Sequence, residues 1–161
     1  FRSADFKGKF VFIDMWFSGC GACVNVAKGM QEVEKAVAGD TNLVLLSLSI
    51  DKDREKWIRS ISKNAVPTRE FPHSGKHYSG EQTLYLYDAG NSANDAFIRT
   101  YGFRGYPALL LIDKNGKLIT RNPPRPSPQK QANDRFIQFL KRELAVLPDA
   151  HSAATAGGSE E

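Results

Sequence analysis

The amino-acid sequence predicts an α/β fold in which helices flank both faces of a central mixed sheet. Strand-like and helical patterns alternate through the first 64 residues, and this order is typical of parallel strands joined by right-handed helical crossovers. A hairpin pattern and an amphipathic segment follow, and they predict two antiparallel strands and a closing helix. The chain has 161 residues, of which 41% are hydrophobic, and this length fits one domain better than two.

The first strand and the first helix meet at a short break in the pattern. Residues 9–17 carry aromatic and β-branched side chains at successive positions, as expected of a central strand that is buried on both faces. Ser18 and Gly19 end this run. In residues 24–38, apolar side chains then recur at the period of an amphipathic helix, at Val26, Met30, Val33 and Val37.

A second strand and helix precede a stretch that is rich in proline and glycine. Residues 43–50 have the pattern of a strand, and residues 51–64 place Trp57 and other apolar side chains on one side of a helix. Trp57 is therefore expected to pack in the core rather than to contact a ligand. The apolar alternation of residues 84–87 predicts a short strand, and residues 92–101 are expected to form a short helix.

The C-terminal part of the domain is predicted to contain a hairpin and a last helix. Two apolar runs, residues 108–113 and 117–120, flank Asn115 and Gly116. This dipeptide tolerates positive φ angles and predicts a two-residue turn between antiparallel strands. Residues 129–147 carry apolar side chains at helical spacing and predict the helix that closes the domain.

Composition and charge exclude several classes of function. The longest apolar stretches have the length of a strand, so no transmembrane helix is expected. The net charge is +4, but basic and acidic side chains alternate, as in residues 51–56, and no basic stripe forms that would bind nucleic acid. Residues 148–161 are small and polar and predict a disordered tail, which leaves residues 1–147 as the folded domain.

The two cysteines of the chain stand three residues apart, with Gly21 and Ala22 between them. Disulfide exchange requires one thiolate that attacks and a second thiol that releases the bound partner. Residues i and i+3 share a helix face, so Cys20 and Cys23 can reach disulfide distance. Cys20 is the predicted nucleophile, because free N–H groups and the helix dipole at the strand-to-helix junction favour its thiolate. Cys23 lies deeper and suits the resolving role.

Paired thiols at this spacing also bind zinc, which would need two further ligands. His151 falls in the predicted tail, and His73 and His77 lie in the proline- and glycine-rich stretch. Polar side chains in such loops are expected to face water. The sequence therefore predicts neither a metal nor a small-molecule cofactor, and a zinc or copper site remains the alternative.

Several segments around these cysteines resemble the thioredoxin superfamily. Residues 14–23, DMWFSGCGAC, are similar to its active-site strand and turn. Residues 101–111, YGFRGYPALLL, resemble its cis-proline segment, and residues 114–117, KNGK, the hairpin that follows. The resemblance extends from residue 7 to about residue 147. Residues 51–91 resemble the helix-plus-strand insertion of TlpA/ResA-like extracytoplasmic proteins, so a thioredoxin fold with this insertion is expected.

The resemblance also implies a role for Asp14. Its carboxyl group lies in an apolar run, where an ionised carboxylate is costly without hydrogen bonds or a function. In the family this acid transfers a proton to or from the second cysteine, which is Cys23 here. Ser47 stands where thioredoxin itself has a lysine, so Asp14 lacks that cationic partner and its pKa is expected to be raised. The alternative is an exposed carboxylate at the end of a strand.

The family's substrate-binding surface maps onto a few residues of this chain. Trp16 is expected to pack beside the cysteines and to shape this surface, with simple core packing as the alternative. A cis bond before Pro107 would leave the backbone of Tyr106 free to pair with a substrate chain; an ordinary trans proline is the alternative. The turn residues between the cysteines, Gly21 and Ala22, complete the predicted surface.

The resemblance implies dithiol–disulfide exchange on protein substrates and an upstream redox partner that supplies electrons. A reductase is favoured over an oxidase, because the turn between the cysteines lacks the histidine of strongly oxidising members. A monomer in an extracytoplasmic, periplasmic setting is expected. The chain starts at Phe1 without a signal-peptide pattern, so an export signal or membrane tether is expected to lie upstream or to have been removed. A thiol peroxidase and a non-catalytic binding or metal-carrier module remain the alternatives.

Overall fold

The computed structural model describes residues 3–91 and 96–146, which contain a five-stranded sheet and four α-helices. A short 3-10 helix, Ser3–Phe6, precedes the first strand. The elements in chain order are β1 (Phe10–Trp16), α1 (Gly21–Ala36), β2 (Leu43–Ser49), α2 (Arg54–Ile61), β3 (Leu84–Tyr87), α3 (Ala96–Tyr101), β4 (Ala108–Ile112), β5 (Leu118–Thr120) and α4 (Lys130–Ala145). No described helix is long and apolar enough to cross a membrane.

The sheet is mixed, and its strand order is β3-β2-β1-β4-β5. Strands β1, β2 and β3 are parallel, whereas β4 is antiparallel to both β1 and β5. All seven residues of β1 are buried, which explains why its sequence is apolar at nearly every position. The predicted central strand and mixed sheet are therefore confirmed.

Helices cover both faces of the sheet, as predicted. Side chains alternate along a strand, so Phe12, Asp14 and Trp16 share one face of β1. Phe12 packs there with core residues of α1 and α4, and this face is called the α1/α4 face below. On the other face, Met15 and its neighbours pack against Ile98 of α3.

The hairpin between β4 and β5 is present, but its turn differs from the prediction. Gly116 has a φ of 80°, whereas Asn115 is not among the described residues with positive φ. The N–H of Gly116 donates to the carbonyl of Asp113 at 3.0 Å. The Asp113 carboxylate accepts from the N–H groups of Asn115 and Lys117, both at 2.8 Å. This side chain stabilises a three-residue loop with one left-handed glycine, instead of the expected two-residue turn.

A helix and a strand, α2 and β3, lie in the predicted insertion between β2 and α3. The long loop that joins them, residues 62–83, is fastened to α1. The buried Glu34 carboxylate accepts from the N–H of Glu81 at 2.7 Å and from the hydroxyl of Thr83 at 2.9 Å. The loop therefore packs against the domain rather than extending into solvent. Part of the predicted short helix, residues 92–95, and the predicted tail lie outside the described residues.

Candidate active site

Cys20 and Cys23 form a disulfide at the N-terminus of α1, with their Cα atoms 5.2 Å apart. Cys20 is the N-cap residue of this helix, and its sulfur accepts a hydrogen bond from the backbone N–H of Cys23 at 3.2 Å. Cys20 retains 7% of its surface in solvent, whereas Cys23 has none. When the disulfide is reduced, this N–H group and the helix dipole favour negative charge on the outer sulfur.

The turn before the cysteines is held by Asp51, which the sequence analysis did not single out. Its carboxylate accepts from the N–H of Ser18 at 3.0 and 3.1 Å and from the Ser18 hydroxyl at 2.8 Å. The hydroxyl of Ser49 also donates to it, at 2.8 Å. Trp16 and Ser49 pair in register at the ends of parallel strands. The polar residues that follow two such strands meet at one sheet edge, and this signal was available in the sequence.

Asp14 is buried on the α1/α4 face, with 4% of its surface exposed. Its Oδ1 atom makes no hydrogen bond within the described residues. Ser47 lies beside it in register on β2, but the Ser47 hydroxyl accepts from the Trp16 indole N–H at 2.7 Å. Burial raises the pKa of Asp14 to about 7, although the charge of Arg125 acts in the opposite direction. The alternative of an exposed carboxylate is therefore wrong.

His77 lies directly on Trp16, contrary to the prediction that it faces water. The two rings are stacked with centroids 4.2 Å apart and an interplanar angle of 9°, and His77 is only 1% exposed. Its backbone N–H donates to the carbonyl of Ser60 at 2.9 Å, which draws the loop onto the site. Burial lowers the pKa of His77 to about 4, while the Cys20 backbone and Asp51 act in the opposite direction. Neither ring nitrogen of His77 makes a hydrogen bond within the described residues.

The cysteine pair packs into a small cluster with Trp16, here called the cysteine cluster. Trp57 and Tyr106, both partly exposed, pack against this cluster. Trp57 also stacks on Tyr87, with ring centroids 4.9 Å apart. Trp57 therefore lines the site as well as packing in the core. The helical pattern of α2 did not predict this contact with the cysteine cluster.

The predicted cis peptide between Tyr106 and Pro107 is present. Tyr106 contacts the exposed ring of Phe17 edge-on, with centroids 6.0 Å apart. No turn or loop hydrogen bond among the described residues uses the backbone N–H or C=O of Tyr106. Gly21 and Ala22 are exposed beside the cysteines. The structure therefore brings all the predicted substrate-facing residues to one end of the sheet.

The candidate metal ligands are not assembled. In residues 3–91 and 96–146, no group of three or more His, Cys, Asp or Glu side chains could hold a metal ion. His73 is partly exposed, and His77 is occupied by its stack on Trp16. His151 lies outside the described residues.

Comparison with known proteins identifies relatives of this fold. A structure of a Bacteroides vulgatus protein named as a thiol-disulfide oxidoreductase is 27% identical, with a TM-score of 0.60, over 86% of this chain and 78% of the other. A secreted Mycobacterium tuberculosis disulfide oxidoreductase, homologous to DsbE of E. coli, is 17% identical, with a TM-score of 0.55, over 86% and 87%. The exposed lipoprotein thioredoxin of Streptococcus pneumoniae is 24% identical, with a TM-score of 0.56, over 88% and 90%.

The sequence comparisons agree with this fold assignment. Curated protein sequences contain no significant match to the chain. The sequence profile of the thioredoxin-like family, however, matches residues 8–118. This range includes the active-site strand, the cysteine pair and the cis-proline segment. The chain therefore belongs to the thioredoxin-like family.

Proposed function

We propose that this protein is a thiol:disulfide oxidoreductase that acts on protein disulfides. The observation that carries the proposal is the asymmetry of the cysteine pair. The sulfur of Cys20 caps α1 and accepts the N–H of Cys23, whereas Cys23 is fully buried. One thiol is thus suited to attack and the other to resolve.

The reaction consists of two exchanges. The Cys20 thiolate attacks a substrate disulfide, so that a Cys20–substrate disulfide forms and the other substrate sulfur leaves as a thiolate. Cys23 then loses its proton and attacks the sulfur of Cys20. The second substrate sulfur leaves, the Cys20–Cys23 disulfide forms, and the substrate has gained two electrons. A separate redox partner must return these electrons to the cysteine pair.

Asp14 is proposed to transfer the proton during the second exchange. It lies two residues before Trp16 on the α1/α4 face of β1, and Trp16 packs against Cys23. A carboxyl group with a pKa of about 7 exists in both protonation states near neutral pH. It can therefore accept the Cys23 proton and later return it.

A substrate chain is proposed to dock along the free backbone of Tyr106, next to Pro107 and opposite the cysteine cluster. The exposed backbone of Gly21 and Ala22 would form the other side of this surface, with Trp16 as its support. The structural relatives named as secreted or exposed proteins support an extracytoplasmic setting. We propose that the protein works there as a monomeric reductase, with electrons from an upstream partner.

The roles of the two cysteines can be tested with two matched variants. Reduced wild-type protein should cleave the disulfides of insulin, and Cys20→Ser should abolish this reaction. Cys23→Ser should instead accumulate a mixed disulfide with the substrate, because attack is retained and resolution is lost. Mass spectrometry of the non-reduced proteins detects the trapped complex, and circular dichroism checks that both variants fold.

Three results would contradict this proposal. Full turnover by Cys20→Ser, or trapping in that variant alone, would reverse the roles of the cysteines. Consumption of hydrogen peroxide at a higher kcat/KM than any disulfide would instead identify a thiol peroxidase. Absence of any exchange, together with a metal ion bound stoichiometrically to the reduced protein, would indicate a carrier.

A further inference from the structure

A groove of about 610 Å³ opens beside the cis-proline segment. Gly105 and Pro107 form its rim nearest to Tyr106, which packs against the cysteine cluster. The far wall comes from the segment after β5. Three arginines, Arg104, Arg121 and Arg125, line this groove, and none of the described residues that line it is acidic. It is called the arginine groove below.

In the part of the chain that the structure describes, no ion pair neutralises the positive charge of the arginine groove. None of the three arginines forms an ion pair within the described residues. Arg121 donates to the carbonyl of Tyr101 at 2.8 Å, which fixes one edge of its guanidinium. The charge of Arg125 acts on the buried Asp14, but these two residues form no ion pair in the described structure. The remaining guanidinium N–H groups have no partner among the described residues and can bind an anionic group.

A second groove, of about 390 Å³, lies next to Ser18 and Gly19 and provides a contrast. It also contains basic side chains, but Glu70 lines it with them. Arg59 in this groove already pairs with Glu55 at 2.9 Å and covers the ring of Phe71 at 4.2 Å. The positive charge of the second groove is therefore partly neutralised by acidic side chains of the protein, unlike that of the arginine groove.

We propose that the arginine groove binds acidic side chains of the substrate protein that flank its disulfide cysteine. This inference rests on the proposed function and specifies its substrate class. An extended chain advances about 3.3 Å per residue. A substrate that pairs with the backbone of Tyr106 therefore brings residues two or three positions from its reactive cysteine over Pro107 and into the groove. Arginine binds carboxylates in a fixed two-bond geometry, and the net charge of +4 favours approach of an acidic partner.

The test compares two disulfide peptides that differ only beside the cysteine, with Glu and Asp in one and Gln and Asn in the other. For the wild type at low salt, kcat/KM should be about three- to tenfold higher for the acidic peptide, because exposed ion pairs are individually weak. In the double variant Arg104→Gln/Arg121→Gln, the ratio of kcat/KM for the acidic peptide to that for the neutral peptide should fall towards one. In Arg104→Lys, which keeps the positive charge, most of the preference for the acidic peptide should remain. The matched control is Lys56→Gln/Arg69→Gln, in the second groove, which should keep the wild-type ratio.

Each outcome separates this inference from the proposed function. Equal kcat/KM for both peptides, with hydroxyethyl disulfide still reduced, would overturn the inference and leave the oxidoreductase function intact. A preference that survives in the arginine variant but disappears in the control variant would also overturn it. Stronger inhibition by an oligonucleotide than by a cysteine-free acidic peptide would assign the groove to nucleic acid instead. Failure to reduce any disulfide would reject the proposed function itself.

Discussion

Asp14 and His77 are both buried next to Trp16, yet their pKa values shift in opposite directions. Asp14 belongs to the central strand, whereas His77 comes from a loop that packs back onto the site. Burial disfavours the charged form of each group. It raises the pKa of the acid to about 7 and lowers that of the base to about 4. Between these pH values neither of the two side chains carries a charge.

The two shifts have opposite consequences for folding stability. From about pH 4 to 6.5, folded Asp14 keeps a proton that the unfolded chain has lost, so stability falls as the pH rises. Over the same range, folded His77 lacks a proton that the unfolded chain has bound, so stability rises with the pH. The contributions of these two residues offset each other in the wild type. In a variant that lacks one of these two groups, the pH dependence of folding stability should show the contribution of the other.

The largest expected effect is on the stability of Asp14→Asn. The variant keeps the side-chain shape and removes the ionisation. Its free energy of unfolding relative to the wild type should increase by up to about 4 kcal/mol between pH 4 and pH 8, since ionised Asp14 destabilises the fold above its raised pKa. Urea titrations of the oxidised proteins measure this difference. A difference that stays constant over this range would mean that Asp14 is solvated in solution.

A somewhat smaller effect of the opposite sign is expected for His77→Phe. Phenylalanine can retain the stack on Trp16 but does not titrate. As the pH falls from 6.5 to 4, the free energy of unfolding of the wild type should decrease by up to about 3 kcal/mol relative to that of this variant, because His77 must stay uncharged to remain buried. The variant His73→Phe, at a partly exposed position of the same loop, is the matched control for replacing a histidine by phenylalanine. If the free energy of unfolding depended on pH in the same way in both variants, the buried position of His77 would be contradicted.

The same comparison shows what the sequence could predict and what it could not. Asp14 was recognisable because one carboxyl group in an apolar strand breaks a regular pattern. The strand and helix periods also predicted the order of elements and the position of Cys20 and Cys23. His77 has no such local signal. Its loop is placed by contacts with distant residues, such as Glu34 with Thr83, which are 49 positions apart.

Two other features that the sequence analysis did not predict depend on hydrogen bonds from a side chain to the backbone. The three-residue turn before β5 depends on the Asp113 carboxylate, which competes with the preference of Asn115 and Gly116 for a two-residue turn. Asp51 orders the active-site turn through Ser18, 33 residues away. Hydrogen bonds from a side chain to the backbone leave no periodic trace in the sequence. For Asp51, the available signal was its position soon after the parallel strand β2.

The smallest of the three expected effects is kinetic and concerns the second exchange. Cys23 must lose its proton before it can attack Cys20, and Asp14 can accept a proton near neutral pH. Asp14→Asn should therefore slow release of the substrate from Cys20 by about 10- to 100-fold, in the range of general-base effects or just below. The initial attack by Cys20 should change less and is the internal control. The two steps can be followed separately by rapid quenching of single-turnover reactions.

The pH profile of this step distinguishes proton transfer from a structural role. In the wild type, the release rate should rise as Asp14 ionises, with an inflection near its pKa of about 7. This inflection should disappear in Asp14→Asn. A variant that merely perturbed packing would instead lower the release rate at every pH and retain the inflection. His77→Phe provides the matched comparison, because His77 is already neutral throughout this range. Its release profile should keep the inflection, and loss of the inflection in both variants would reject the role assigned to Asp14.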